Sequence, residues 1–227
     1  MYVLFAIVAI TQFNLEIHVK FKHQDAIDLK SKENKKRFTA MMLICAMFAI
    51  CWIAYIQWET SIASFTQSIN ISMSQYSVLW TINGIMILVA QPLIRPIIVI
   101  LRGNLKRQML VGILVFMSSF LVTSFANHFA IFVVGMVILT FGEMFVWPAV
   151  PTIANKLAPE GKQGQYQGFV NSASTVGKAF GPFIGGVLVD TFNMSMMFIG
   201  MIVLLCFGLI FLGLFDRGLP KDYNDNQ

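Results

Sequence analysis

Charge is what this sequence has least of. Only 12% of its 227 residues are Asp, Glu, Lys or Arg, about half the share of an ordinary soluble domain, and 57% are apolar. That balance argues against a water-soluble globule. The motifs of common chemistries are missing as well. Cys45, Cys51 and Cys206 lie inside apolar runs and form no close-spaced pair, which gives no support to a disulfide framework or a zinc site. They read as small buried hydrophobes. His18, His23 and His128 are scattered without helical metal spacing. No glycine loop followed by Lys and Ser/Thr is present to cradle a phosphate, and no nucleophile elbow. The expectation is no cofactor, no metal and no enzymatic reaction.

Long apolar runs fill the space that charge leaves. Residues 1–15 are apolar from the initiator Met, but at helical rise they reach only roughly 22 Å against a hydrocarbon core of about 30 Å. A basic segment before the run and a small-residue cleavage site after it would mark a signal peptide, and neither is there. The run reads as the second half of a membrane helix whose beginning is missing. Residues 16–37 then turn to charge, with Lys20, Lys22, Lys30, Lys32, Lys35, Lys36 and Arg37 set against Glu16, Asp25, Asp28 and Glu33. Without apolar period or interleaved aromatics this is a solvated linker, not a nucleic-acid surface.

Six apolar spans follow, at about 38–58, 77–101, 108–126, 129–152, 165–189 and 194–215. The expected fold is all-α: a polytopic membrane helix bundle of six complete transmembrane helices plus a truncated leading one. The bundle covers 38–215, and 216–227 forms a polar tail. The connectors alternate in basic charge. Arg102, Lys106 and Arg107 follow the second span, Lys156 and Lys162 the fourth, and Arg217 and Lys221 the last, whereas 59–76, 127–128 and 190–193 contain no Lys or Arg. Positively charged loops stay on the cytoplasmic side, so the 16–37 linker and the C-terminus are expected in the cytoplasm and 59–76 outside.

Polar residues inside the spans are the candidate site, because hydrocarbon penalises them unless they face protein or a cavity. They are Tyr55, Gln57, Asn83, Gln91, Glu143, Asn171, Ser172 and Lys178. An interhelical hydrogen bond is the plainer role for each amide and hydroxyl. Glu143 and Lys178 are the two deepest charges, roughly 21 and 18 Å from the outer ends of their spans at helical rise. An isolated charge there costs on the order of 3 kcal/mol, so the two are expected to pair with each other or to share a wet cavity. Glu143 would then sense protons or a cationic substrate while Lys178 holds it ionised in one conformation. A purely structural ion pair is the alternative. Trp52, Trp58 and Trp80 read as interfacial or packing residues, Trp147 lies beside Pro148 and Pro151 where a bend is expected, and Arg95 is placed to snorkel.

The stretch from Gly164 to Asp190 carries Gly177, Gly181, Pro182, Gly185 and Gly186. Small residues at such spacing clear a groove for a neighbouring backbone, and Pro182 removes a helical hydrogen bond and invites a bend. With these residues in view, the chain resembles the C-terminal half of a major facilitator superfamily transporter. A long basic segment precedes six spans and a cytoplasmic tail. The loop from Arg102 to Arg107 is similar to the family's basic glycine-containing loop, without its usual acidic residue. Gly142-Glu143-Met144 through Pro148, with Ala158-Pro159-Glu160, Gly164, Tyr166 and Gly168, is similar to a helix pair of bacterial drug:proton antiporters, and Gly177 to Gly186 reproduces that class's Gly-x-x-x-Gly-Pro-x-x-Gly-Gly signature.

The resemblance implies a multi-pass protein of the cell membrane. It would form half of a proton-coupled exporter of small hydrophobic or cationic compounds, working by alternating access. Its partners would be the lipid bilayer, a small-molecule substrate, protons and a missing N-terminal six-helix half, with no nucleic acid. A facilitator for a sugar or organic anion, or a non-transporting remnant, are the alternatives.

Overall fold

The computed structural model describes residues 32–100 and 104–219, so the leading run 1–15, most of the 16–37 linker and the last eight residues lie outside the described residues. Contacts divide the chain into Met1–Lys35 and Lys36–Gln227, and the account below concerns the second unit. Every regular element among the described residues is helical.

The helices are α1 (Lys32–Tyr55), α2 (Ser61–Ser68), α3 (Met73–Val89), α4 (Gln91–Ile100), α5 (Leu105–Ser124), α6 (Phe129–Leu157), α7 (Gln163–Thr191) and α8 (Met194–Leu214), with one 3-10 turn at Ile56–Trp58. Residues 32–37, placed in the linker by their charge, are the first turns of α1. The first span also runs further than its expected end at Trp58. Thr60 N–H donates to the carbonyls of Ile56 and Gln57 at 3.1 and 3.3 Å, and this tight turn carries the chain into α2, inside what was expected to be an outer loop. Conversely, the expected span 77–101 is two helices. Pro92 lacks an N–H and disfavours helical geometry in the residue before it, and the break falls at Ala90, between α3 and α4.

Starts are set by short polar side chains that accept from orphan amides. Ser72 and Gln75 form a reciprocal capping box for α3, at 3.2 and 3.0 Å. Asn104 caps α5 through Arg107 N–H and Asn193 caps α8 through Met196 N–H, both at 2.9 Å. Prolines inside α6 and α7 do not interrupt either helix, so the bend expected at Pro182 leaves α7 continuous.

Among the described residues, four helical stretches are long and apolar enough to cross a membrane: Asn34–Ser68, Leu105–Ser124, Phe129–Leu157 and Met194–Leu214. Helix α3 is apolar but only 17 residues long, and α7 has the length but is diluted by Asn171, Ser172, Thr175 and Lys178. The buried core runs through the bundle on Met41, Ile44, Trp58, Phe116, Phe132 and Phe198. Large apolar side chains also cover the outside, among them Leu88 at 77%, Phe125 at 72% and Phe183 at 70% exposure. In water such a surface would aggregate; it suits lipid or a protein partner.

Two glycine contacts set the closest approaches. In α5 and α6, a Cβ on Gly112 would lie 2.7 Å from Val146 Cγ2, and one on Gly142 would lie 2.8 Å from Phe116 Cδ2. The second contact joins α1 to α7. A Cβ on Gly177 would be 2.5 Å from Trp52 Cβ, and one on Gly181 would be 2.0 Å from Ile56 Cγ2. Helices so close gain dispersion contacts that a methyl group would forbid. This places the end of α1 against the middle of α7, and with it the aromatic residues described next.

Candidate functional site

Three helices each contribute one face. Trp52 and Tyr55 are one turn apart near the end of α1, Trp80, Asn83 and Ile87 repeat at helical spacing in α3, and Thr140, Glu143 and Trp147 do so in α6. Residues three, four or seven apart share a helix face, so these side chains converge once the three helices pack.

Glu143 is the chemical centre. It is 4% exposed, and its Oε1 accepts a hydrogen bond from Asn83 Nδ2 at 2.7 Å. Asn83 Nδ2 also donates to Thr140 Oγ1 at 3.0 Å, and that hydroxyl donates to the Met136 carbonyl at 2.8 Å. The amide is thereby held with its nitrogen towards the carboxyl group. Tyr55 is the second polar side chain beside Glu143, and the two line the same cavity. All these partners are neutral. A buried carboxyl group with neutral donors and no fixed countercharge can hold a proton or attract a cation.

Aromatic rings wall this group in. Trp147 lies 4.9 Å from Trp52, 5.5 Å from Tyr55 and 5.7 Å from Phe116, centroid to centroid. Trp80 closes on Tyr55 at 6.0 Å. Beside them opens a cavity of about 360 Å³, lined by Tyr55, Ile87, Glu143, Met144, Trp147 and Pro148. Apolar walls with one carboxyl group and one phenol suit a small, largely hydrophobic ligand that carries a positive charge.

The other expected site residues take different places. Lys178 does not pair with Glu143: it is exposed, and its Nζ sits 4.0 Å from the centroid of the Trp52 ring. Trp52 and Tyr55, with centroids 5.3 Å apart, stand in the chain of contacts from one charge to the other. Gln57 is fully buried and engaged in packing. Its Nε2 donates to the carbonyls of Ile53 and Gly181 at 2.9 and 2.7 Å, and its Oε1 accepts from Ser61 Oγ at 2.8 Å. It binds α1 to α7.

Asn171 is exposed on α7, two turns before Lys178, and is not joined to Glu143. Gln91 belongs to α4, and its side chain lies outside the described residues. Gly177 and Gly181 face the end of α1 and Gly185 faces Gln57 in the 3-10 turn, whereas a Cβ on Gly186 would meet nothing within 4 Å; Gly186 lines, with Pro182, a second cavity of about 420 Å³ beside Ser61, Ser64, Phe65 and Asp190. Thr140, Trp52 and Trp147 are site residues that a search for deep polar groups passes over. Their spacing to Tyr55 and Glu143 was the available signal. Trp58, by contrast, is fully buried in the core, a packing residue.

Known proteins match this sequence. The chain is 46% identical over 201 residues to an uncharacterized MFS-type transporter, YttB, of Bacillus subtilis (strain 168), covering 88% of this chain and 51% of that protein. It is 43% identical over 54 residues to an uncharacterized MFS-type transporter, MJ1560, of Methanocaldococcus jannaschii, covering 24% of this chain and 14% of that protein. The chain thus spans about half the length of the first relative. The model of the Major Facilitator Superfamily matches residues 38–227, from the second turn of α1 to the last residue. Members of that family are transporters, not enzymes. With its apolar membrane helices, its close glycine contacts and this match, the chain belongs to the Major Facilitator Superfamily.

Proposed function

We propose that the chain is the C-terminal half of a proton-coupled secondary transporter that exports small hydrophobic or cationic compounds by alternating access. The observation that carries this reading is Glu143, buried at the rim of an aromatic cavity beside Tyr55, held by Asn83 and, among the described residues, without an ion-pair partner. A carboxyl group so placed exchanges a proton for a positively charged ligand, and coupling requires that exchange. The exposed polar stripe of α7, with Asn171, Thr175 and Lys178, supports a water-lined or protein-lined surface there, since lipid would penalise it. Six helices, with α1–α2 and α3–α4 each forming one crossing, would make up this half. A second bundle would complete it, with residues 16–37 and the C-terminus on the cytoplasmic side of the cell membrane.

The test is transport by the reconstituted chain, alone and together with a matching N-terminal half. The reading requires a proton-dependent flux that appears only with both halves and is lost in Glu143→Gln. Flux that is normal in Glu143→Gln at every pH would refute proton coupling through this residue. One observation favours a second reading. Lys178 presents an exposed cation on the surface of the bundle, as a facilitator for an organic anion would; flux of an anion indifferent to Glu143 would establish it.

A further inference from the structure

Lys178 is held in an unusual way for a charge on a membrane helix. Among the described residues it is joined to no carboxylate in an ion pair; its ammonium group rests 4.0 Å from the centre of the Trp52 ring. A cation within about 6 Å of an indole face is attracted by the ring's quadrupole. The ring is fixed in place. Trp147 packs on it at 4.9 Å and 31°, Tyr55 meets it edge-on at 5.3 Å, and Phe48 does so at 6.1 Å. Gly177, one residue before Lys178, lets α7 approach within contact of the Trp52 stem, which brings the lysine over the ring. The lysine itself is exposed on a flexible four-carbon stem, so it can leave without disturbing the core.

We propose that the face of Trp52 is a cation-binding subsite, that Lys178 is its built-in occupant, and that quaternary ammonium compounds displace it. A primary ammonium is strongly hydrated and binds an indole face less well than a methylated cation that has already shed its water. The tether compensates, giving the lysine an effective concentration in roughly the millimolar range. Lys178 is then a threshold: only cations that stack better than an alkylammonium reach the ring. The subsite adjoins the Glu143 cavity through Tyr55 and Trp147, so a displacing ligand lies next to the carboxyl group. This inference rests on the reading of the chain as half of a cation exporter, and its test is equilibrium binding, which needs neither flux nor a second half.

The purified full chain in lipid nanodiscs is titrated with choline and with its uncharged isostere 3,3-dimethylbutan-1-ol, followed by tryptophan fluorescence. Lys178→Met should bind choline about tenfold more tightly than the unaltered chain. Lys178→Arg should stay near the unaltered value, because a guanidinium stacks on the same ring. The neutral alcohol should not distinguish the three. Adding Trp52→Leu to Lys178→Met should remove the gain; if that double variant does not fold, Trp52→Phe should reduce it. The proposal is overturned if Lys178→Met binds choline no better, if the alcohol gains equally, or if Lys178→Arg tightens as much as Met. It is also overturned if the gain survives loss of the indole. Failure of transport with intact choline displacement would reject the exporter reading and leave the subsite standing.

Discussion

Asn83 and Glu143, sixty residues apart, meet through a single 2.7 Å hydrogen bond buried between α3 and α6. It joins the short helix that precedes the Ala90 break to the longest apolar helix of the bundle. Leucine at position 83 would leave Glu143 without its best donor and Thr140 without a partner for its lone pairs. The expected cost is about 1–3 kcal/mol, read as a lower melting temperature in detergent. Asn83→Asp should be tolerated only where one of the two carboxyl groups is protonated, so its melting temperature should rise towards acid pH. A flat profile would count against the shared site.

The glycine contacts between α1 and α7 give a sharper comparison. A Cβ on Gly185 would fall 1.8 Å from Gln57 Oε1, while one on Gly186 would meet nothing within 4 Å. Gly185→Ala should therefore destabilise by about 1–3 kcal/mol, as overpacking does. Gly186→Ala should be neutral or should stabilise by up to about 1 kcal/mol, the helix preference of alanine over glycine. Thermal unfolding of the two variants side by side decides it.

Topology is open to direct measurement. Single cysteines at Ser31 and Ser68, in a chain lacking Cys45, Cys51 and Cys206, should react with an impermeant thiol reagent from opposite sides of the membrane. The basis is the alternation of Lys and Arg between connectors. Labelling from the same side would overturn the orientation and with it the expected crossings.

At the end of the bundle that carries the basic loop, Lys106 Nζ lies 2.7 Å from both oxygens of Asp216 and 3.4 Å from the Gly213 carbonyl. Both partners are partly exposed, at 30% and 18%, so solvent screens the pair. Asp216→Asn should cost no more than about 1 kcal/mol, and the difference should shrink at high salt. A loss that is larger and insensitive to salt would mean that Asp216 supports the α5–α8 contact by other means.

Much of this was legible in the sequence. The α7 glycines at spacings of four marked a close approach, and α1 is the helix they meet. Glu143 stood out as a charge too deep to be idle, and it is buried and lines the aromatic cavity. The Glu143–Lys178 pair was not there to be read. Depth along a helix follows from counting residues at 1.5 Å each, but rotation about the axis does not, and rotation places Trp52 between the two charges. Rotation likewise turned Gln57 from a candidate ligand into a tie between helices. The break at Ala90 was announced by Pro92. The continuation through Ile56–Trp58 into α2 was hidden, because Glu59 and a run of hydroxyl residues look like the start of a loop. Among those hydroxyls, Thr60 and Ser68 each donate to a carbonyl of the preceding turn, at Ile56 and Phe65.

The backbone contact at Gly177 and Gly181 has a mechanical consequence. With Ala49 O and Ile53 O facing glycines, and Gln57 bonded across to Gly181 O, α7 adds no side chain at these points on which α1 could slide. They act as a single beam carrying Trp52, Tyr55 and Lys178 together. The α3–α6 contact is held at Asn83 by two replaceable hydrogen bonds. If the Glu143 cavity opens, the α3 side of it, Trp80 included, is the side expected to give.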